Sequence, residues 1–261
     1  MISVGQVVAL STIAILGHVM AFTWYAAAKY RWKICERRIY DLPIHDQQVS
    51  REFKNSLHTP MHAVILAAFL YLGFFQNETW LSFVLAGIGT TIWAEIWHYG
   101  SHRAFHISAL HWIHVEHHKS ALNSPFTAVS FSFTEKLVFD LGLLLPLAAL
   151  DHFVSLNFYG IAAWYAGYLI INSFSHANYE IKPERFNRTL GKVLTSATYH
   201  SLHHSRYTGN YGLGTRVLDR LFGTEWDDYE SLYERVSCKR RPLTKLREKV
   251  EPAAPKVHRV A

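Results

Sequence analysis

The chain has 261 residues, half of them hydrophobic and 15% aromatic, and a net charge of +6. That length suits one substantial domain or two small ones, and the two cysteines, Cys35 and Cys238, exclude a disulfide framework as the basis of the fold. The positive charge lies between and after long apolar runs, a distribution that argues for a membrane neighbour and against nucleic acid.

Residues 5–28, GQVVALSTIAILGHVMAFTWYAAA, carry no Lys, Arg, Asp or Glu and are long enough to cross a hydrocarbon layer of roughly 30 Å. The basic residues follow this run and do not precede it, so an N-terminal span over 1–28 is expected in preference to a cleaved signal peptide. Residues 29–59 then turn polar and basic, with Lys29, Arg31, Lys33, Arg37, Arg38, Arg51 and Lys54, and are expected as a cytosolic loop. Two helical hairpins are predicted next, over 60–98 and 126–175. In the second, Glu135, Lys136 and Asp140 are expensive in lipid unless they pair, face protein or lie near the surface.

Lys and Arg are absent from segments 1–4, 76–80 and 151–153, which this topology places outside, in agreement with the positive-inside rule. The expected fold is therefore all-α: a polytopic transmembrane bundle of about five spans, two hairpins plus the N-terminal span. A cytosolic histidine-rich helical lobe, residues 99–125 and 176–240, caps it. Residues 1–240 form a single integral membrane domain, and 241–261 a basic, partly disordered tail that touches anionic headgroups.

Of the 17 histidines, seven lie in one stretch, WHYGSHRAFHISALHWIHVEHHKS. Helical geometry brings residues three and four apart onto one face, so His102 with His106, and His114 with His117 and His118, are each expected to aim at a common point. His200, His203 and His204 repeat the H-x-x-H-H spacing, and His176 stands between the two boxes. Packing needs no such repetition, and adjacent imidazolium groups repel; a metal holds the rings neutral and coordinated. Nine imidazoles exceed the four to six ligands of one first-row ion, so two ions are expected, and imidazole suits iron, zinc and copper alike.

A zinc-protease H-E-x-x-H motif does not occur, because Glu116 falls in H-V-E-H, and neither does a G-x-S-x-G elbow. Glu95 reads either as an acceptor that orients a ring N–H or as a carboxylate paired with Arg103 or another base. His98 and His111 read as further ligands or as members of a proton network.

The residues H102-R-A-F-H106, H114-V-E-H117-H118, H176-A-N178 and H200-S-L-H203-H204, with N210-Y-G and L218-D-R-L-F-G-T224 after them, resemble the sterol desaturase and fatty acid hydroxylase superfamily of membrane di-iron enzymes. The resemblance runs from about Glu95 to Trp226. It implies two iron ions on His102, His106, His114, His117, His118, His176, His200, His203 and His204, with zinc as a substitute in purified protein. It also implies O2-dependent hydroxylation or desaturation of a sterol-like, fatty acyl or sphingoid lipid held in the membrane. No haem or flavin domain is visible, so a separate donor, cytochrome b5-like or ferredoxin-like, is expected to supply electrons. The membrane is a bacterial inner membrane or the endoplasmic reticulum, with the lobe cytosolic. Asn210, Tyr211, Gly212 and Asp219 are expected to build a turn and a helix cap. Two rival readings of the residues are a membrane metal carrier or sensor and a membrane zinc hydrolase.

Overall fold

The computed structural model describes residues 2–252, and among them every regular element is helical. Polar side chains set the helix starts. Ser3 and Gln6 form a reciprocal capping box at the start of α1 (Val4–Lys29). After α2 (Asp46–Ser56) and α3 (Met61–Tyr71), Thr79 caps α4 (Trp80–Phe105) by accepting from Ser82 N. α5 (His111–His118) is short; Ser132 and Asn157 then cap α6 (Phe133–Val154) and α7 (Phe158–Ser175) in the same way. Ser196 caps α8 (Ala197–Arg206), and α9 (Val217–Leu221) and α10 (Tyr229–Ser237) follow.

Three of these helices, α1, α4 and α6, are long and apolar enough to cross a membrane. Their outward residues, among them Val8, Ile15, Phe22, Leu85, Ile92 and Phe153, are exposed hydrophobics, a girdle that water would not tolerate on this scale. The five apolar runs all become helices, but not equal ones. α3 has 11 residues, which is about 16 Å at the helical rise, and α7 has 18, about 27 Å. The first hairpin therefore pairs a half-length helix with a 26-residue one that runs past Trp97 to Phe105.

α7 packs between α1 and α4, and α6 lies on α3 and α4. Leu66, Leu143, Leu144, Phe158, Ile161, Tyr165 and Leu169 form the buried centre. Two glycines let the helices approach closely: a Cβ on Gly142 would meet the Trp97 ring at 1.9 Å, and one on Gly160 would meet Phe83 O at 2.5 Å. The hairpin tips are tied together at one end. Phe158 N donates to Phe75 O (3.0 Å), and Asp151 Oδ2 accepts from Phe75 N (2.9 Å). The histidine-bearing ends of α4 and α7 lie at the other.

Three sequence expectations change. Residues 29–59 are no simple loop: α2 folds there, Arg38 bridges to Tyr179, and Ile39 and Tyr40 enter the lobe core beside Tyr199, Leu202, Tyr229 and Val236. α6 begins at Phe133, because Thr127–Val129 form a 3-10 turn whose residues are all buried against neighbouring protein. The expected, partly disordered tail is docked as far as residue 250. Leu243 is buried and bridges to Tyr40, Glu248 pairs with Arg235, and Val250 N donates to Asp228. Residues 253–261 of the tail lie outside the described residues.

Candidate metal centre

All nine histidines converge, and they sort into two groups. His102, His106, His114, His118 and His203 form one; His117, His176, His200 and His204 form the other, and the ligand atoms within each lie within 4.8 Å of one another. His102 sits on the last turn of α4 and His106 at its C-terminal cap; His176 caps α7. His102 and His106 do share a group, but the expectation that His114, His117 and His118 aim at one point is corrected. On α5, His114 and His118 face the first group and His117 the second; on α8, His200 and His204 face the second and His203 the first. Successive helix positions differ by about 100°, so the i and i+4 rings share a direction while the ring at i+3 is turned to the next site.

Hydrogen bonds fix which nitrogen of each ring is free. Nδ1 of His102 donates to Tyr211 O (2.8 Å), of His117 to Ser130 O (2.9 Å) and of His203 to Gly209 O (2.8 Å). His176 donates likewise to Asn172 O (2.8 Å) and His204 to Ser120 O (3.0 Å), and His114 Nδ1 bonds the Glu135 carboxylate. A carbonyl oxygen can only accept, so in these rings the proton is on Nδ1 and Nε2 presents a lone pair.

Those lone pairs face each other. His176 Nε2 lies 3.3 Å from His117 Nε2 and 3.1 Å from His204 Nε2, and neither pair has a proton to share. Nε2 of His102 and of His114, and both nitrogens of His106, are buried with no protein partner. Opposed, orphaned lone pairs in a buried pocket are unfavourable alone and are what a cation satisfies. The residues fit two metal ions.

Burial is the main cause that holds the imidazoles of His117, His118, His200, His203 and His204 well below their ordinary range, and neighbouring rings push the same way. His176 is pushed down to about 4, burial outweighing its bond to Asn172. The rings are thus neutral near pH 7, the form that ligates.

Other residues hold this arrangement. Asp219 accepts from Tyr211 N (2.9 Å), Gly212 N (2.7 Å) and the hydroxyls of Tyr199 (2.9 Å) and Thr224 (2.6 Å), so it is the hub of the turn that carries the carbonyls for His102 and His203. Asn210, at φ 54°, links Tyr199 O to Trp226 N within the same turn. Glu95 fits neither of its two expectations: its Oε2 accepts from Thr215 N (3.1 Å) and Oγ1 (2.9 Å), while Arg103 donates to the Tyr99 hydroxyl (3.2 Å). The carboxylate that orients a ligand ring is Glu135, which meets the expected condition of pairing within protein, though its partner His114 was not foreseen. Its spacing from a serine cap, Ser132-x-x-Glu135, marks the helix start and gives no hint of His114. His98 and His111 fall outside both groups, and His111 hydrogen-bonds the Tyr207 hydroxyl.

An apolar helical bundle with nine inward imidazoles in two groups defines a class, that of integral membrane proteins with a polyhistidine centre able to hold two metal ions. The profile of the fatty acid hydroxylase family matches residues 87–224, more than half of the chain and all nine histidines, and the chain belongs to that family. It is similar to the protein CER1-like 1 of Arabidopsis thaliana, with 26% identity over 81% of this chain and 35% of the relative. It is also similar to the very-long-chain aldehyde decarbonylase CER1 of the same plant, with 27% identity over 82% of this chain and 35% of the relative. A rice relative, the very-long-chain aldehyde decarbonylase GL1-6 of Oryza sativa subsp. indica, is 31% identical over 54% of this chain and 23% of its own length. The chain thus spans about a third of the length of the first two relatives. No solved structure matches.

Proposed function

We propose that the chain is an O2-dependent membrane oxidoreductase that hydroxylates or desaturates an unactivated C–H position of a lipid, with two iron ions as its cofactor. The observation that carries this reading is the set of opposed Nε2 lone pairs around His176, His117 and His204, with those of His102 and His114 beside them. His102, His106, His114, His118 and His203 would hold one ion and His117, His176, His200 and His204 the other. Bound iron supplies the dioxygen and C–H chemistry. The chain's own residues do the rest. Backbone carbonyls and Glu135 lock ring orientation, while Phe131, Phe139 and Leu213 wall off water from the cavity beside the rings.

Relatives named as very-long-chain aldehyde decarbonylases support a long acyl chain over a sterol as the lipid. Electrons come from a separate cytochrome b5-like or ferredoxin-like partner. The distribution of Lys and Arg supports a cytosolic lobe, in a bacterial inner membrane or the endoplasmic reticulum, and residues 1–240 as one domain.

The test is metal analysis of the purified chain, followed by O2 uptake with reductant and long-chain lipids and mass spectrometry of the product. Two irons per chain, with lipid-dependent uptake and a gain of one oxygen or loss of two hydrogens, are expected. Zinc-only protein that cleaves an ester without consuming O2 would sink the reading.

A further inference from the structure

Four side chains buried between α3, α6 and α7 belong to neither histidine group: His62, Lys136, Asp140 and Tyr165. His62 Nδ1 donates to Asp140 Oδ1 (2.6 Å), and the Tyr165 hydroxyl donates to the same oxygen (3.0 Å). The carboxylate thereby sets the His62 tautomer, leaving Nε2 to accept from Lys136 Nζ. The result is a line with a cation at one end, Lys136, and the anion Asp140 held between His62 and Tyr165. His62, Asp140 and Tyr165 are all 0% exposed and Lys136 is 3% exposed, so the line is no route for protons to solvent. Ionisable groups at such depth are costly and mark function more often than packing.

The cation end has a use. Lys136 lines a small cavity of about 40 Å³ together with His102 and His114 of the first group and His117, His176 and His200 of the second. That volume holds only a few non-hydrogen atoms. A larger, mainly apolar cavity of about 480 Å³ lies between α4 and α7 and reaches the outside of the bundle at Ile88 and Ile171. The two share His98, Phe139, Tyr168 and Leu213 as walls, so the lipid-facing cavity adjoins the one beside the histidines across these four side chains. Among the described residues Lys136 is the one Lys or Arg that lines either cavity.

We propose that Lys136 is a positioning residue that receives the terminal oxygen, carbonyl or hydroxyl, of a long unbranched lipid whose chain occupies the larger cavity. This deepens the reading given above and rests on it. The inner cavity takes a chain end and not a ring system. The ammonium has three N–H groups, of which one goes to His62, and it sits 4.5 Å from the centre of the Phe131 ring. Asp140, acting through His62, already matches its charge, so a neutral oxygen can accept from it without leaving a buried ion unpaired.

Equilibrium binding of radiolabelled hexadecanal, hexadecan-1-ol and hexadecane to the metal-loaded full chain in nanodiscs tests this without turnover. The unaltered chain is expected to hold the two oxygenated lipids about tenfold more tightly than hexadecane, the scale of one charge-assisted hydrogen bond. Lys136→Met is expected to erase that preference while hexadecane affinity and metal content stay as they were. Lys136→Gln, which keeps an N–H, should retain part of it. An unaltered chain that holds all three equally overturns the proposal, as does a Met or Gln variant that weakens all three alike. A chain that prefers oxygenated lipids through Lys136 yet consumes no O2 would refute the functional reading alone.

Discussion

His117 and His118 are neighbours in the chain and belong to different groups, so a single peptide unit sets the spacing between the two sites. The imidazoles themselves were legible, because residue type and spacing name them. Their acceptors were not: Tyr211, Ser130, Asn172, Gly209 and Ser120 contribute backbone carbonyls, which carry no mark in a sequence. That Glu135 needs a partner was legible, but which one was not, since His114 is 21 positions away and on another helix. Replacing it with leucine removes the acceptor of His114 and leaves the four rings of the second group untouched. Glu135→Leu is expected to weaken the first site by about 10–100-fold. Dialysis against a weak chelator, followed by metal counting, should then leave one ion where the unaltered chain keeps two. Loss of both ions would show that the sites do not fill separately.

At the scale of elements, the apolar runs announced α1, α4, α6 and α7 because hydropathy is a local property. α2 was hidden: its sequence, DQQVSREFKNS, has too few apolar residues to stand out, and it is held by Glu52, which accepts from Ser124 and Thr127 far along the chain. The length of α3 was hidden too, because LGFF after Tyr71 is as apolar as a helix but turns back towards the second hairpin. The seam between α4 and α6 gives a sharp prediction. Trp93 and Trp97 donate from their indole nitrogens to Gly142 O (3.2 Å) and Phe139 O (3.0 Å), and the Trp97 ring fills the place of a Gly142 side chain. Gly142→Ala is expected to destabilise the bundle by about 1–3 kcal/mol, measured by thermal unfolding in detergent. Trp97→Phe in the same chain should recover part of that loss, since the clashing ring atoms are absent from phenylalanine. Gly160→Ala should find no such rescue, because the obstruction there is the Phe83 carbonyl.

For the whole molecule, the sequence could say that boxes some 85 positions apart belong together, as His118 and His203 do, but not how they interlock. Their interlocking follows from α5 and α8 each supplying both groups, a property of two helices whose histidine rings meet. Metal held by the two groups would therefore tie the lobe to itself and to the ends of α4 and α7. Removing it with a strong chelator is expected to raise amide hydrogen exchange over 111–118 and 197–206, while α1 and the inner face of α7 stay protected. Equal deprotection of α1 would mean that the bundle has no stability of its own.

The close contact of Gly160 with Phe83 has a consequence of its own. It shuts the seam between α4 and α7 at the tied hairpin tips, whereas nothing crowds Gly167 further along, so the space between the two helices is a wedge with a stop at its narrow end. From Gly160 to Ile171 the wedge runs about 17 Å along the helix. A chain inserted from the side would meet that stop, so the geometry would limit the length that the space between the two helices admits.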